Sequence, residues 1–113
     1  MVKKYIPKQG DLIYVDFNPT KGHEQKGKRP AIVVSTHIFN ENTKMALVCP
    51  ITSNNKYFPT HYKLEDSKKI KGSILCEHIR SIDYNERNIK YVESASSNDL
   101  LSTIMLLNAC IEE

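Results

Sequence analysis

Residues 10–35 read GDLIYVDFNPTKGHEQKGKRPAIVVS, and this stretch decides the fold class that we expect for the chain. Its first part, residues 11–17, alternates two sets of β-favouring side chains and predicts a strand. Residues 18–28 contain two glycines and a proline with almost no apolar side chain, which is typical of a loop. Pro30 then opens a second strand that runs to Ser35, since a proline at the first strand position forfeits no interior ladder bond.

Short β-type segments separated by polar turns continue through most of the remaining sequence. Composition and alternation predict strands at residues 45–51, 60–64, 73–77 and 89–92, with a polar turn at residues 39–44. Pro50 indicates that the third strand lies at a sheet edge or contains a bulge.

The C-terminal segment changes to a helical period. Ser96 or Ser97 can cap the N-terminus of a helix, and Asp99 falls favourably in its first turn. Apolar residues then recur at helical spacing, namely Leu100, Leu101, Ile104, Leu107 and Ile111. We expect this face to pack on the chain's own sheet, with a partner subunit as the alternative.

Several strands followed by one terminal helix predict a mainly β chain of the α+β class. A compact, strongly bent antiparallel sheet or small barrel fits this order, and the alternating pattern of a parallel α/β domain does not. A length of 113 residues predicts one domain, residues 1–113.

Composition limits the function classes. No apolar run approaches the roughly 20 residues of a membrane span, and no apolar stretch follows the basic N-terminus as in a secretory signal. Cys49, Cys76 and Cys110 are odd in number and far apart, so we expect three reduced core residues in the cytoplasm and neither a metal nor another cofactor. The net charge of +3 permits binding to a polyanion without requiring it.

The predicted loop before the second strand is basic. It carries Lys21, His23 and Lys28 with Glu24 as a counter-charge, which suits a phosphate backbone as well as it suits a simple solvated loop. Arg29 differs from the lysines because it lies where the loop joins the strand, and its position is therefore better fixed. Its planar guanidinium can grip a phosphate and stabilise charge that develops in a transition state.

Two further polar clusters follow strands. Thr52, Ser53 and Asn54 can donate to phosphate oxygens or base edges, although ordinary turn chemistry explains them as well. Residues 77–83 include Glu77, His78 and Arg80, which suit proton transfer and phosphate binding. A charged strand end with internal ion pairs is the alternative interpretation of this third cluster.

Taken together, these segments resemble the MazF/PemK family of toxin ribonucleases. The family pattern G-D, five mostly apolar residues, P, G-S-E-Q and R-P before an apolar strand matches residues 10–35, and residues 50–53, 59–61 and 74–83 also resemble family segments. The chain departs from the pattern at His23, where the family usually has Ser, and at His78, where it usually has Gln.

The resemblance implies an SH3-like barrel of antiparallel strands with a C-terminal helix, the PemK/CcdB-like toxin fold. It also implies a homodimer that cleaves single-stranded RNA at specific sequences without a metal. A cognate MazE/PemI-like antitoxin would cover the RNA groove with a flexible C-terminal segment. By this resemblance Arg29 and Thr52 match catalytic residues, and Glu24 and Gln25 match loop positions linked to activity or RNA contact.

A mechanism that needs no protein nucleophile fits these residues. The RNA 2′-hydroxyl would attack the adjacent phosphorus, with Arg29 as the stabiliser, Thr52 as the positioning group and Glu24 or His23 as the base. The expected RNA contacts are Lys21, His23, Gln25, Lys28, Ser53, Asn54, Glu77, His78 and Arg80. Tyr57 and Phe58 can stack on bases, although core or dimer packing is the slightly favoured alternative.

Two rival functions remain open at this point. One is a toxin of the same fold that poisons DNA gyrase by protein contact and does not need Arg29. The other is a barrel that binds nucleic acid without cleaving it.

Overall fold

The computed structural model describes residues 4–17, 28–54 and 56–113. Within these ranges the chain forms seven strands and two α-helices. In chain order the elements are β1 (Asp11–Asp16), β2 (Lys28–Val33), α1 (His37–Thr43), β3 (Met45–Thr52), β4 (His61–Lys63), β5 (Ser73–Leu75), a 3₁₀ turn (Cys76–His78), β6 (Arg80–Asp83), β7 (Lys90–Ser94) and α2 (Ser97–Ile111). This antiparallel sheet with a terminal helix confirms the predicted α+β class.

Strand β3 is shared by two parts of the sheet. One edge pairs with β2, while the other pairs with β6 over residues 45–48 and with β5 over residues 51–52. The strand order is β4-β5-β3-β2-β1-β7, with β6 beside β3. Pro50 therefore lies in a central strand, and the edge prediction is wrong. Its missing N–H is tolerated because it falls in the gap between the segments that pair with β6 and β5.

The alternation of the strands divides the core into two clusters. Leu12 pairs with Ile32 on one face, and Ile13 pairs with Ala31 on the other. The first cluster continues through β3 and β5, and α2 covers it with Leu107 and partly buried apolar neighbours. The helix therefore packs on the chain's own sheet, where it contacts β4 and the 3₁₀ turn.

Helix α1 replaces the polar turn that was predicted at residues 39–44. The sequence lacks an apolar helical stripe here because the buried residue of α1 is Asn40, whose side chain accepts a hydrogen bond from Ser35 and donates to the Pro7 carbonyl at 2.9 Å. The Tyr84 hydroxyl donates to the Asn40 carbonyl at 2.7 Å. Tertiary hydrogen bonds thus stabilise a helix that periodicity does not indicate.

The bounds of two predicted strands need correction, and one strand lacks a prediction. The strand expected at residues 73–77 ends at Leu75, and the chain turns into the 3₁₀ turn. Strand β6 was not predicted, because its only buried apolar residue is Ile82 and its ladder depends on pairing with β3. Strand β2 begins two residues before Pro30, where Asp16 still pairs with Lys28.

The start of α2 agrees with the capping signals, but its buried face differs from the predicted one. The Ser96 hydroxyl accepts from the Asp99 backbone N–H at 3.0 Å, which confirms the cap. Asp99 is fully buried, and its carboxylate accepts from the Tyr62 hydroxyl at 2.6 Å. It also accepts from the backbone N–H groups of Glu65 and Asp66, in the segment that follows β4. Leu101 and Ile111 are 62% and 74% exposed, so the predicted apolar face is wrong at these positions.

The cysteine prediction holds for two of the three thiols. Cys49 and Cys76 are free and buried, whereas Cys110 is free and exposed on α2, so its assignment to the core is wrong. Among the described residues, neither helix combines the length and the hydropathy that crossing a bilayer requires.

Glu93 on β7 anchors the connection between β4 and β5. Its carboxylate accepts from the backbone N–H groups of Lys68, Lys69 and Ile70 at 3.0, 2.7 and 2.8 Å. Partial burial alone raises the pKa of Glu93, but these hydrogen bonds and the charge of Lys69 outweigh it and lower the pKa below 4.5.

Substitution of Glu93 by Gln removes the charge that these N–H groups face. We expect Glu93→Gln to lower the free energy of unfolding by about 1 to 3 kcal/mol at pH 7. Because the pKa is lower in the folded state, this contribution is present above the ordinary value of 4.5 and disappears as the pH falls through the folded value. Urea unfolding from pH 7 to pH 3 measures the difference, with the exposed Glu86→Gln as the control. A difference that is independent of pH would contradict this account.

Candidate active site

Arg29 and Thr52 lie on neighbouring strands. Arg29 is half-buried in β2, where it pairs with Val15, and Thr52 is the last residue of β3. Ala31 and Pro50 form the last pair between β2 and β3, and Arg29 and Thr52 lie two residues beyond this pair on their strands. Side chains two residues apart in a strand project from the same face, so Arg29 shares the face of Ala31 and Thr52 shares that of Pro50. The two side chains therefore share one face of the sheet.

A groove of about 290 Å³ begins at Thr52. Its walls come from the segment after β3, from β4 and from the 3₁₀ turn, because β5 brings these elements beside the end of β3. The lining residues are Thr52, Asn54, Lys56, Tyr57, Phe58, His61, Leu75, Glu77 and His78. Polar groups that accept and donate hydrogen bonds thus alternate with exposed aromatic rings along one surface.

Glu77 is held by two side chains from the start of β4. The Thr60 hydroxyl donates to Oε1 at 2.7 Å, and His61 Nε2 lies 2.7 Å from Oε2. Partial burial alone raises the pKa of Glu77, but these two hydrogen bonds outweigh it, and the pKa is lowered from 4.5. At neutral pH the side chain is therefore a carboxylate that only accepts hydrogen bonds. His78 Nε2 lies 3.8 Å from Oε2 and is largely exposed.

The Thr52 hydroxyl oxygen stabilises the turn that follows β3. Its oxygen accepts from the Asn54 backbone N–H at 3.2 Å, and the Asn54 side chain accepts from the Lys56 N–H at 3.0 Å. The turn interpretation of this cluster is therefore correct for these contacts. The hydroxyl proton of Thr52 has no acceptor among the described residues of the turn, so it is available to donate to a bound anion.

Residues 8–109 match the family described as PemK-like, MazF-like toxin of type II toxin–antitoxin system. The chain belongs to this toxin family. Among its relatives, Endoribonuclease toxin MazF of Escherichia coli strain K12 is 42% identical over 87 residues, which cover 77% of this toxin and 78% of that protein. Endoribonuclease toxin ChpB of the same strain is 33% identical over 120 residues and covers 99% of this toxin and 100% of its own length.

Solved structures give the same result. A crystal structure of MazF from Deinococcus radiodurans superposes with a TM-score of 0.87 at 32% identity and covers 97% of this toxin and 100% of that chain. A MazE–MazF crystal structure from the same organism gives a TM-score of 0.85 at 32% identity, over 96% and 97% of the two chains.

The structure brings some of the predicted RNA contacts of the toxin together and separates others. Asn54, Glu77 and His78 line the groove. Ser53 is exposed next to Thr52, and Lys28 is exposed at the start of β2. Four predicted loop residues lie outside the described residues, namely Lys21, His23, Glu24 and Gln25.

Arg80 lies apart from the groove lining. Its guanidinium stacks over the Phe17 ring at 5.0 Å, beside the second core cluster. Arg80 pairs with Val48 on β3, so it projects from the same face as Val48 and, by alternation, as Thr52. Its position fits a contact with a ligand that extends from the groove past Thr52.

Tyr57 and Phe58 are 86% and 52% exposed, so their interpretation as core residues is wrong, and packing in a dimer stays a prediction. The Phe58 ring packs against the ring of His61 with centroids 5.3 Å apart. Sequence reasoning assigned no site role to Thr60 or His61. Their only sequence signal is that residues 59–61 resemble a family segment, because their partner Glu77 is distant in sequence.

In the described part of the chain, no group of three or more His, Cys, Asp or Glu side chains is arranged to hold a metal ion.

Gly72 supports the end of β3 from behind. It has a φ of +135°, and a Cβ there would lie 2.2 Å from the Thr52 carbonyl oxygen. Gly72→Ala is therefore expected to destabilise the toxin by more than about 1 kcal/mol and to displace Thr52. Thermal unfolding and the amide chemical shifts of residues 51–54 measure both effects.

Gly10→Ala is the matched control for this substitution. Gly10 also has a positive φ, +93°, but its added Cβ would meet Leu100 on α2. This variant is expected to lose stability without shifting the amides near Thr52. Equal shifts near Thr52 in both variants would refute the proposed support by Gly72.

Proposed function

We propose that the toxin is a sequence-specific, metal-independent endoribonuclease that cleaves single-stranded RNA. The observation that carries this proposal is the shared face of Arg29 and Thr52 beside a groove that offers aromatic and polar side chains. The names of its relatives support it, since MazF and ChpB of Escherichia coli are endoribonucleases. The products are a 2′,3′-cyclic phosphate and a 5′-hydroxyl.

The substrate supplies the nucleophile in this reaction. The 2′-oxygen forms a bond to phosphorus as the bond from phosphorus to the 5′-oxygen breaks. A base takes the proton of the 2′-hydroxyl, and an acid delivers a proton to the departing 5′-oxygen. The chain therefore needs to orient the phosphate and stabilise the charge of the phosphorane, which Arg29 and Thr52 do without a metal-bound water.

The two residues divide this work by their chemistry. Arg29 is half-buried, and its guanidinium presents fixed donors to the equatorial oxygens as their charge grows. The free hydroxyl proton of Thr52 donates to one phosphate oxygen and holds it for in-line attack. Glu24 and His23 are the candidates for the base, and water carried by Arg29 can protonate the 5′-oxygen.

The groove beside Thr52 binds the bases that flank the cut. Tyr57 and Phe58 offer exposed rings for stacking, and Glu77 accepts hydrogen bonds from base N–H groups. Lys28 and Lys56 neutralise phosphates on either side. Unpaired RNA is required, because a base enters the groove only after it leaves a helical stack. The remaining proposed contacts are Lys21, His23, Gln25, Ser53, Asn54, His78 and Arg80.

We further propose that the toxin acts in the cytoplasm as a homodimer and that a cognate antitoxin neutralises it. The MazF of Deinococcus radiodurans has been crystallised with MazE, and this toxin is 32% identical to it in that complex. A flexible C-terminal antitoxin segment that lies in the groove would compete directly with RNA.

Arg29→Ala is expected to reduce cleavage of a defined single-stranded RNA by about 10² to 10³-fold, because it removes a donor to the developing phosphorane. Thr52→Val, which keeps the side-chain shape, is expected to lose activity by about 10²-fold or more. Gel analysis of a purified RNA with mapped ends measures both, and Lys90→Ala, at an exposed position of β7, is the control. Parental cleavage by Arg29→Ala would overturn the assignment, and binding without any turnover by the parent would favour the non-catalytic rival.

Excess EDTA is expected to leave the cleavage rate unchanged, because the mechanism uses the substrate hydroxyl as its nucleophile. The same assay with and without the chelator measures this. Activity that disappears in EDTA and returns with a divalent ion would contradict the mechanism.

A parental toxin that leaves RNA uncut but inhibits DNA gyrase would favour the rival function of a gyrase poison.

A further inference from the structure

The tautomer of His61 follows from the surroundings of its two ring nitrogens. Nε2 lies 2.7 Å from the Glu77 carboxylate, whereas Nδ1 is buried with no hydrogen-bond partner among the described residues. A ring protonated on Nδ1 alone would bury a donor without an acceptor and would turn the lone pair of Nε2 toward the carboxylate, which is costly. The ring therefore donates a proton from Nε2 to Glu77.

The ring of His61 is itself held in place. It packs against Phe58, and its strand residue pairs with Leu75, two residues before Glu77. Thr60 holds the second carboxylate oxygen from the same strand end. An ionised carboxylate has about four lone-pair directions, and the bonds from Thr60, His61 and the Glu77 backbone N–H use three of them. The remaining direction is fixed relative to β4 and is available to a ligand in the groove.

We propose that His61, which donates from Nε2, is a positioning residue that orients Glu77 to select, at one position near the cut, nucleobases that carry an exocyclic amino group. This inference rests on the proposed ribonuclease function and deepens it. Adenine, cytosine and guanine present such an amino group, and uracil does not. His61 contacts Glu77 and not the reacting atoms, so its loss is expected to change sequence choice more than the rate on a preferred site.

Two amide substitutions separate positioning from simple packing. His61→Gln keeps a donor near the position of Nε2, whereas His61→Asn places its amide near Nδ1, too short to reach Glu77. Each protein is incubated with a random single-stranded RNA pool, and the cut sites are sequenced. The exposed His37→Asn on α1 serves as the control.

We expect one position near the cut to favour amino-bearing bases over uracil in the parental toxin. His61→Asn and Glu77→Gln are expected to reduce that preference by about tenfold at the same position, and the double variant by no more than either alone. His61→Gln and His37→Asn are expected to retain it. Unchanged preference in His61→Asn, additive losses, or flattening at different positions would overturn the proposal.

The tautomer is measured without RNA. Long-range ¹H–¹⁵N spectra of the toxin at pH 7 are expected to show a proton on His61 Nε2. A ring that carries its proton on Nδ1 alone would refute the proposed role. A parental toxin that cuts no RNA would refute the proposed function instead, and the spectra would still decide the state of His61.

Discussion

The double pairing of strand β3 is the constraint on which the rest of the structure depends. One edge of β3 pairs with β2, and the other pairs first with β6 and then with β5. A slip of one residue would move Cys49 and Ile51 from the first core cluster to the side of the second, move Val48 the other way and turn Thr52 to the opposite face. The apolar core therefore fixes the face and the register of Thr52. The same pairing brings β5, and with it Glu77, to the end of β3.

Hydrogen bonds to two carboxylates stabilise the segment between β4 and β5. Glu93 and buried Asp99 hold the segment between β4 and β5 through backbone N–H groups, and burial with the hydrogen bond to Asp99 raises the pKa of Tyr62 to about 12. This segment carries no long element of its own, so its shape depends on these bonds. The hydrogen bond from Tyr62 to Asp99 also ties β4, which carries His61 of the groove, to α2, so this wall needs little reorganisation when a ligand enters.

The sequence predicted those parts of the fold whose signal is local. Alternation revealed β1 and β3, and the Ser96 cap and helical period revealed α2. Helix α1 could not be found because the bonds of Asn40 to Pro7 and Tyr84 are tertiary. At the site, the junction of loop and strand singled out Arg29, and the resemblance added Thr52. The pairing of His61 with Glu77 depends on how β4 meets the 3₁₀ turn, which no local pattern encodes.

The central claim is that Arg29 and Thr52 meet the scissile phosphate together. A crystal structure of the toxin with a single-stranded RNA whose attacking 2′-hydroxyl is replaced by 2′-O-methyl tests it most directly. The account predicts that the phosphate next to the modified sugar lies about 2.7 to 3.1 Å from both the Arg29 guanidinium and the Thr52 hydroxyl. An RNA bound with that phosphate away from either side chain would contradict it.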